Sequence, residues 1–307
     1  MELDRAGARM TSRRHLIAIA TYRRPDDLRR LLDSLAESVD DTADIVVVDN
    51  DAAGSARQVV EGHPLAPVYE IEPEPGIASA RNRGLTHFRT DHAGVVFVDD
   101  DEWVEPDWYA TITRYARESG AGVVQGPVVT VLPEDAPAWV RRGGFYQRRL
   151  DQTGAELPSA ATNNTLLTRE AWERAGSPTF DPEFSSTGGS DWDLFWGVRK
   201  AGARILFCGE AVVSEDVPAS RLSWPWLRQR FVRNGIVEAR VQRKHGDPII
   251  PFAAKALATL AIGVAQVALD SALGRGRRSR SVRRVLIPVG KLAGLFGYRV
   301  HEYRREG

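Results

Sequence analysis

The 307-residue chain carries a single cysteine, Cys208. An internal disulfide framework is therefore excluded, and a reducing compartment fits. Charge of one sign is also missing, since 41 basic residues meet 41 acidic ones, which argues against a nucleic-acid binder. Residues 1–14 are polar and include Arg5, Arg9, Arg13 and Arg14. The apolar run that follows, Leu16–Ala20, is too short for a signal-peptide core, so the expectation is a flexible tail over 1–14 on a cytoplasmic protein. Thr21-Tyr-Arg-Arg-Pro25 contains no glycine, and no G-x-G-x-x-G follows a strand. A P-loop is absent, the Gly-rich phosphate loop a nucleotidyltransferase would want after the first strand is missing, and without a dinucleotide fingerprint a dehydrogenase is weaker still.

What is present alternates. Leu16–Ala20 and Ile45–Val48 are apolar without strict alternation, as in strands covered on both faces. Pro25-Asp-Asp opens a helical stretch with Leu28, Leu31, Leu32 and Leu35 on one face. Val68–Ile71 and Val95–Val98 read as further strands, with a loop and helix over Gly76–Phe88 between them. This pattern predicts an α/β fold, a parallel sheet flanked by helices, with ligands beyond the carboxyl ends of the strands. Later on, Ala161–Leu167 reads as a strand, Asp191–Ala201 as a helix, and Arg204–Cys208 as a buried strand that makes Cys208 a core thiol. Trp224–Arg243 reads as a long basic helix. A boundary near Ala219 divides a catalytic unit, 15–219, from a C-terminal helical region, 220–307.

Four clusters carry candidate chemistry. Asp99-Asp100-Asp101 follows the fourth strand; three adjacent carboxylates repel one another unless neutralised, and oxygen ligands suit Mg²⁺ or Mn²⁺. A solvated acidic loop is the plainer alternative. Asp49-Asn50-Asp51 ends the second strand, where a carboxylate can accept bonds from a base or ribose, or simply serve a turn. In Pro75–Gly84, Gly76 permits close backbone approach to a ligand, while Arg81 and Arg83 suit anionic oxygens. In Gly188-Gly-Ser-Asp-Trp-Asp-Leu194 the acidic residues meet a helix start, so Asp191 suits a base beside an incoming hydroxyl, with Ser190 or Asp191 as N-cap the alternative. Trp103, Trp108, Trp192 and Trp196 flank the acidic motifs; core packing accounts for each, and Trp192 beside Asp191 is the candidate for stacking on an acceptor sugar.

In order and spacing these pieces resemble glycosyltransferase family 2 and its GT-A nucleotide-sugar-binding fold. The matching segments are Ile17–Pro25, Val46–Asn50, Gly76–Gly84, Val96–Asp101, Asn164 with Arg169, Phe180–Phe184 and Gly189–Leu194 leading to Gly202. The resemblance covers about residues 15–235. It implies an inverting, metal-dependent transfer of sugar from a nucleotide-diphosphate donor to a saccharide, lipid-linked or other hydroxyl acceptor, with Mn²⁺ or Mg²⁺ as cofactor. Thr21, Arg23, Asp49, Asp51, Gly76 and Arg81 would line the donor, Asp49 on the base. Asp101, with Asp99, would hold the metal, Asp99 or Asp100 would lie near the ribose, and Asp191 would be the general base. Asn164, Ser190, Trp192, Glu215 and Arg221 would line the acceptor side. Ser190 stands where the family often has Glu, and Arg23 where it often has Asn. The Gln-x-x-Arg-Trp motif of processive synthases is absent, the nearest segment being Gln229–Gly235, so one sugar is expected per binding event. No third metal ligand is identifiable. A nucleotidyltransferase and a non-catalytic nucleotide-sugar-binding or scaffold protein remain as alternatives.

Ile249–Leu269 has the length of a membrane span but is interrupted by Lys255 and Gln266. With a second apolar segment at Val285–Phe296 and the basic run Arg275–Arg284 between them, residues 249–296 suit contact with anionic headgroups at the inner face of the plasma membrane. A helical pair packed on the catalytic unit is the equal alternative.

Overall fold

The computed structural model describes residues 14–148, 150–185, 187–276 and 278–298. The predicted tail lies outside these residues apart from Arg14, which already belongs to the first strand. Ten strands are formed: β1 (Arg14–Thr21), β2 (Ala43–Asp49), β3 (Val68–Ile71), β4 (His92–Phe97), β5 (Glu102–Val104), β6 (Val123–Gln125), β7 (Val128–Val131), β8 (Thr165–Thr168), β9 (Ile205–Phe207) and β10 (Val213–Asp216). The helices are α1 (Pro25–Ser38), α2 (Arg57–Glu61), α3 (Ile77–Leu85), α4 (Trp108–Ser119), α5 (Ala138–Gly143), α6 (Arg169–Arg174), α7 (Ser190–Lys200), α8 (Trp224–Lys244), α9 (Ile249–Ala272) and α10 (Ser279–Leu295).

Seven strands form the central sheet in the order β3-β2-β1-β4-β8-β6-β9. β1 runs parallel to β2 and β4, and β2 to β3. Successive residues of the inner strands feed opposite cores. Ile17, Ile19, Ile45, Val47, Val96 and Val98 face α1, α2 and α4. Leu16, Ala18, Val46, Val48, Val95 and Phe97 face α3, α6 and α7. Burial on both sides is why these strands read as continuous apolar runs. α1 carries the four leucines expected on its buried face, and Pro25 opens it.

Two features depart from the simple parallel expectation. β8 is antiparallel to both neighbours, β4 and β6, so the sheet is mostly rather than wholly parallel. β8 is also shorter than the stretch Ala161–Leu167, because Asn164 takes a positive φ of 58° just before it. A second sheet, β5-β10-β7, stands beside the carboxyl edge of the first. It sets Glu215 directly opposite Glu102.

The C-terminal helices are tied on through α8. Val237 and Val241 pack with Phe184, Trp192 and Trp196. Buried Asp193 on α7 accepts from Lys244 at 2.6 Å and pairs with His245 at 2.9 Å. α10 lies along α8, and α9 packs on α10 with Ala256 and Gly263 as its buried residues. Ile250, Leu257, Ile262, Val264 and Leu269 of α9 are exposed. Among the described residues α9 is the one helix long and apolar enough to cross a membrane.

Candidate active site

The acidic turn after β4 is built so that alternate carboxylates part company. Asp100 turns inward: its side chain accepts from Thr21 Oγ1 at 2.8 Å and from Arg24 at 3.2 Å. Burial pushes it up to about 7, with Asp101 and Asp99 adding to the rise against the pull of Arg24 and the Thr21 bond. Asp99 and Asp101 turn outward. Asp101 accepts from Arg24 at 2.9 Å and Asp99 from Arg81 at 3.2 Å. Asp99 is half-buried, with 40% of its side chain accessible. Burial holds its carboxyl above the usual range, and the fields of Asp101 and Asp191 add to this while Arg81 opposes it. Glu102, buried beneath, accepts from the Asp99 N–H at 2.9 Å. Burial next to Asp99 raises it well above a normal glutamate, and its Oε1 has no partner among the described residues.

Asp191 enters from the opposite side, in the first turn of α7, half-buried and near enough to Asp99 to act on it electrostatically. Its neighbour Asp193 is held by Lys244 and His245, so of the two acids only Asp191 is left facing the cleft. Ser190 is buried with its hydroxyl unpartnered among the described residues. Trp192 packs its half-buried ring against the cluster of Phe184, Val237 and Val241.

Several of the residues expected at the site are engaged within the protein. Thr21, expected against the nucleotide, is nearly closed to solvent and spends its hydroxyl on Asp100. Asp100, expected near the ribose, is likewise buried, with Thr21 and Arg24 as its partners. Asp49, expected on the base, is 0% exposed. Its carboxylate is filled from inside by Ala56 N at 2.7 Å, Tyr69 Oη at 2.9 Å and Asp51 N at 3.0 Å. It therefore shapes the loop that carries Asp51. Asp51 in turn accepts from Arg23 Nε at 3.1 Å, a bond that lowers its carboxyl. Gly76, expected to admit a ligand, instead admits Ser185: a Cβ there would lie 2.7 Å from the Ser185 Cβ. Asn164, expected near the acceptor, is 0% exposed. It donates to Pro127 O and Ala211 O and accepts from Trp108 Nε1, all within 2.8 Å. A buried side chain with these bonds is a latch between sheets.

Arg23 has a φ of 54°. Asn adopts that left-handed region far more readily than Arg, which explains why Asn suits the position. The sequence reading missed Arg24, the counter-ion of Asp100 and Asp101. It also missed Arg148, whose Nη2 donates to Glu215 at 2.7 Å. Arg221 lines a cleft of about 140 Å³ with Arg24, Asp101 and Asp216.

A mostly parallel sheet flanked by helices, with an acidic turn at its carboxyl edge, is the architecture of GT-A glycosyltransferases. The family model described as glycosyl transferase family 2 matches residues 16–176. Over 288 residues, 92% of each chain, the sequence is 34% identical to the succinoglycan biosynthesis protein ExoM of Rhizobium meliloti (strain 1021). The chain belongs to glycosyl transferase family 2 and is a glycosyltransferase. It is also 29% identical to the galactofuranosyltransferase GlfT1 of Mycobacterium tuberculosis (strain ATCC 25618 / H37Rv) over 173 residues, 52% of this chain and 57% of that one. Among solved structures it resembles the mannosyltransferase PcManGT from Pyrobaculum calidifontis, solved with GDP-Man and Mn²⁺. That match has a TM-score of 0.63 and 21% identity, and covers 92% of this chain and 87% of the other. At that identity the likeness shows the fold.

Proposed function

We propose that the chain moves one sugar per encounter from a nucleoside-diphosphate sugar to a hydroxyl of a saccharide acceptor in polysaccharide synthesis, inverting the anomeric carbon. One observation carries this reading: Asp99 and Asp101 share one acidic turn, Asp101 lines the cleft beside it, and Asp191, whose neighbouring acid is neutralised, is near enough to act on Asp99. Asp191 takes the proton of the attacking hydroxyl. Arg81 and Arg23 border the donor side.

The donor set suits a hard divalent cation. Among the described residues no three ligating side chains converge into a cage. Two carboxylates completed by donor phosphate oxygens are the usual way such an ion is held. Asp101 and Asp99 would hold it; burial is the main cause of the rise at Asp99, and a cation would relieve the repulsion from Asp101 and Asp191 that adds to it. When bound, Mn²⁺ or Mg²⁺ supplies neutralisation of the departing diphosphate. Arg24 screens Asp101 otherwise, and its guanidinium would have to withdraw.

A thermal-shift screen of nucleoside diphosphates and their sugars tests this. With Mn²⁺ one nucleotide should raise Tm, as native-state binding requires; without metal, or in Asp101→Ala, the shift should vanish. No shift with any nucleotide would sink the donor reading.

We further propose that residues 15–219 carry catalysis while 220–307 rest on an anionic membrane surface. The exposed apolar face of α9 and the adjacent Arg275, Arg278 and Arg280 support this. The protein should sediment with phosphatidylglycerol vesicles, less so in high salt, and not with phosphatidylcholine vesicles. Failure to sediment with the anionic vesicles would overturn the membrane assignment.

A further inference from the structure

Four arginines from four segments line one pocket: Arg148 before β8, Arg221 after β10, Arg230 on α8 and Arg283 on α10. Two carboxylates lie among them, and both are engaged. Glu215 accepts from Arg148, and Asp216 accepts at 2.7 Å from Arg30, which is outside the pocket. Arg221 and Arg230 lay their guanidinium groups toward Trp226, 5.9 and 5.0 Å from the ring centre. Among the described residues no carboxylate or carbonyl meets the N–H edges of either. Arg283 donates to Phe145 O at 3.0 Å, while its buried Nε has no partner among the described residues.

Like charges gathered in this way oppose folding. Burial, with the neighbouring Arg148 and Arg233, pushes Arg230 down to about 10, and burial and Arg148 lower Arg283. What the arrangement does suit is a multiply charged oxyanion. Guanidinium forks match phosphate oxygens two bonds at a time.

We infer that this pocket is a subsite for a phosphate or diphosphate group carried by the acceptor. The inference rests on the reading above that the chain glycosylates an acceptor, and it adds that the acceptor is anionic. The pocket adjoins the donor cleft, because Arg221 and Asp216 line both. Arg148 is near enough to Asp99 to act on its carboxyl. The two sites differ in kind. An anion beside Asp99 and Asp101 meets carboxylates and needs a cation; an anion among the arginines needs none. One wall of the pocket comes from α10, the helix on which the exposed apolar face of α9 is mounted. An acceptor with a charged head and an apolar tail would find both features on one side of the molecule. The rival source of the same chemistry is the diphosphate of the donor.

Inorganic pyrophosphate in EDTA is the probe, with affinity read by calorimetry on the full chain. The wild type should bind it without metal. Arg230→Gln should weaken binding at least tenfold, and Asp101→Ala should retain it. Unliganded Arg230→Gln should melt no lower than wild type, because the change relieves repulsion; a purely structural arginine would lower Tm when removed. In a separate titration without EDTA, with Mn²⁺ in excess of both anions, saturation with the nucleoside diphosphate should leave pyrophosphate affinity within twofold of its value with Mn²⁺ alone. No metal-free binding by the wild type, or equal affinity in Arg230→Gln, would overturn the subsite. Competition by the nucleotide would overturn the acceptor assignment and give the pocket to the donor's leaving group. Pyrophosphate binding that persists when no nucleotide binds would sink the donor reading and leave this pocket standing.

Discussion

Asp191→Asn is expected to lower turnover by about 10²- to 10⁴-fold, the range a positioned general base contributes, while donor binding is unchanged. The substitution keeps the shape of the side chain and removes its ability to take a proton. Asp191 is the acid left free for this work. Asp193, two residues on, is buried and tied to Lys244 and His245, so Asp193→Asn should lower stability by loosening α7 from α8. Asp191 stands in the first turn of α7, where the helix end favours a carboxylate. Turnover by steady-state kinetics and donor binding by thermal shift separate the two effects. A fall in donor affinity with turnover intact would move Asp191 to the binding side of the site, and full activity would remove it from the chemistry.

The layers of this fold are legible in the sequence where burial is two-sided or the period is clean. β1 and β2 are unbroken apolar runs, and α1 repeats leucine on one face after a proline. The acidic turn and the helix start at Ser190 are legible because glycines and acids mark such junctions locally, although Gly189 rather than Ser190 or Asp191 is the N-cap and no side chain caps α7. The strands of the second sheet are three or four residues long, too short for a period to register. The reversed direction of β8 depends on its partners β4 and β6, and nothing within Thr165–Thr168 records it. Asp49 and Asn164 look like ligand contacts in the sequence because polar residues at strand edges often are. Their partners Tyr69 and Trp108 lie far along the chain, and only the folded arrangement shows that these polar atoms are already used. The arginine pocket is illegible for the same reason. Arg221 apart, which the family resemblance places on the acceptor side, each arginine alone reads as a solvated surface residue, and their convergence is a property of the folded arrangement.

That packing sets the second large effect. Gly290→Leu should destabilise the C-terminal helices by about 3 kcal/mol or more, at or beyond the upper end of ordinary overpacking. At Gly290 a Cβ would overlap the carbonyl oxygen of Val232 and lie 2.8 Å from its carbonyl carbon and 3.1 Å from Gly235 Cα. At Gly235 it would overlap Ile287 O and lie 2.6 Å from Lys291 N. Gly294 is tight to a lesser degree, with Ala239 Cβ 2.8 Å and Ile236 Cα 3.0 Å away. The helices thus meet backbone to backbone along these glycines, and no side-chain rotation can make room. Gly290→Ala gives the sharper test because two effects oppose each other in sign. Helix propensity alone favours alanine by about 1 kcal/mol, whereas the contact with the Val232 carbonyl forbids it. Thermal denaturation decides between them. A lower Tm is expected, since a backbone atom cannot yield as a flexible side chain would. A Tm raised by the substitution would mean that α8 and α10 do not touch in solution. It would also loosen the wall that Arg283 provides, since α10 lies along α8 beside the pocket.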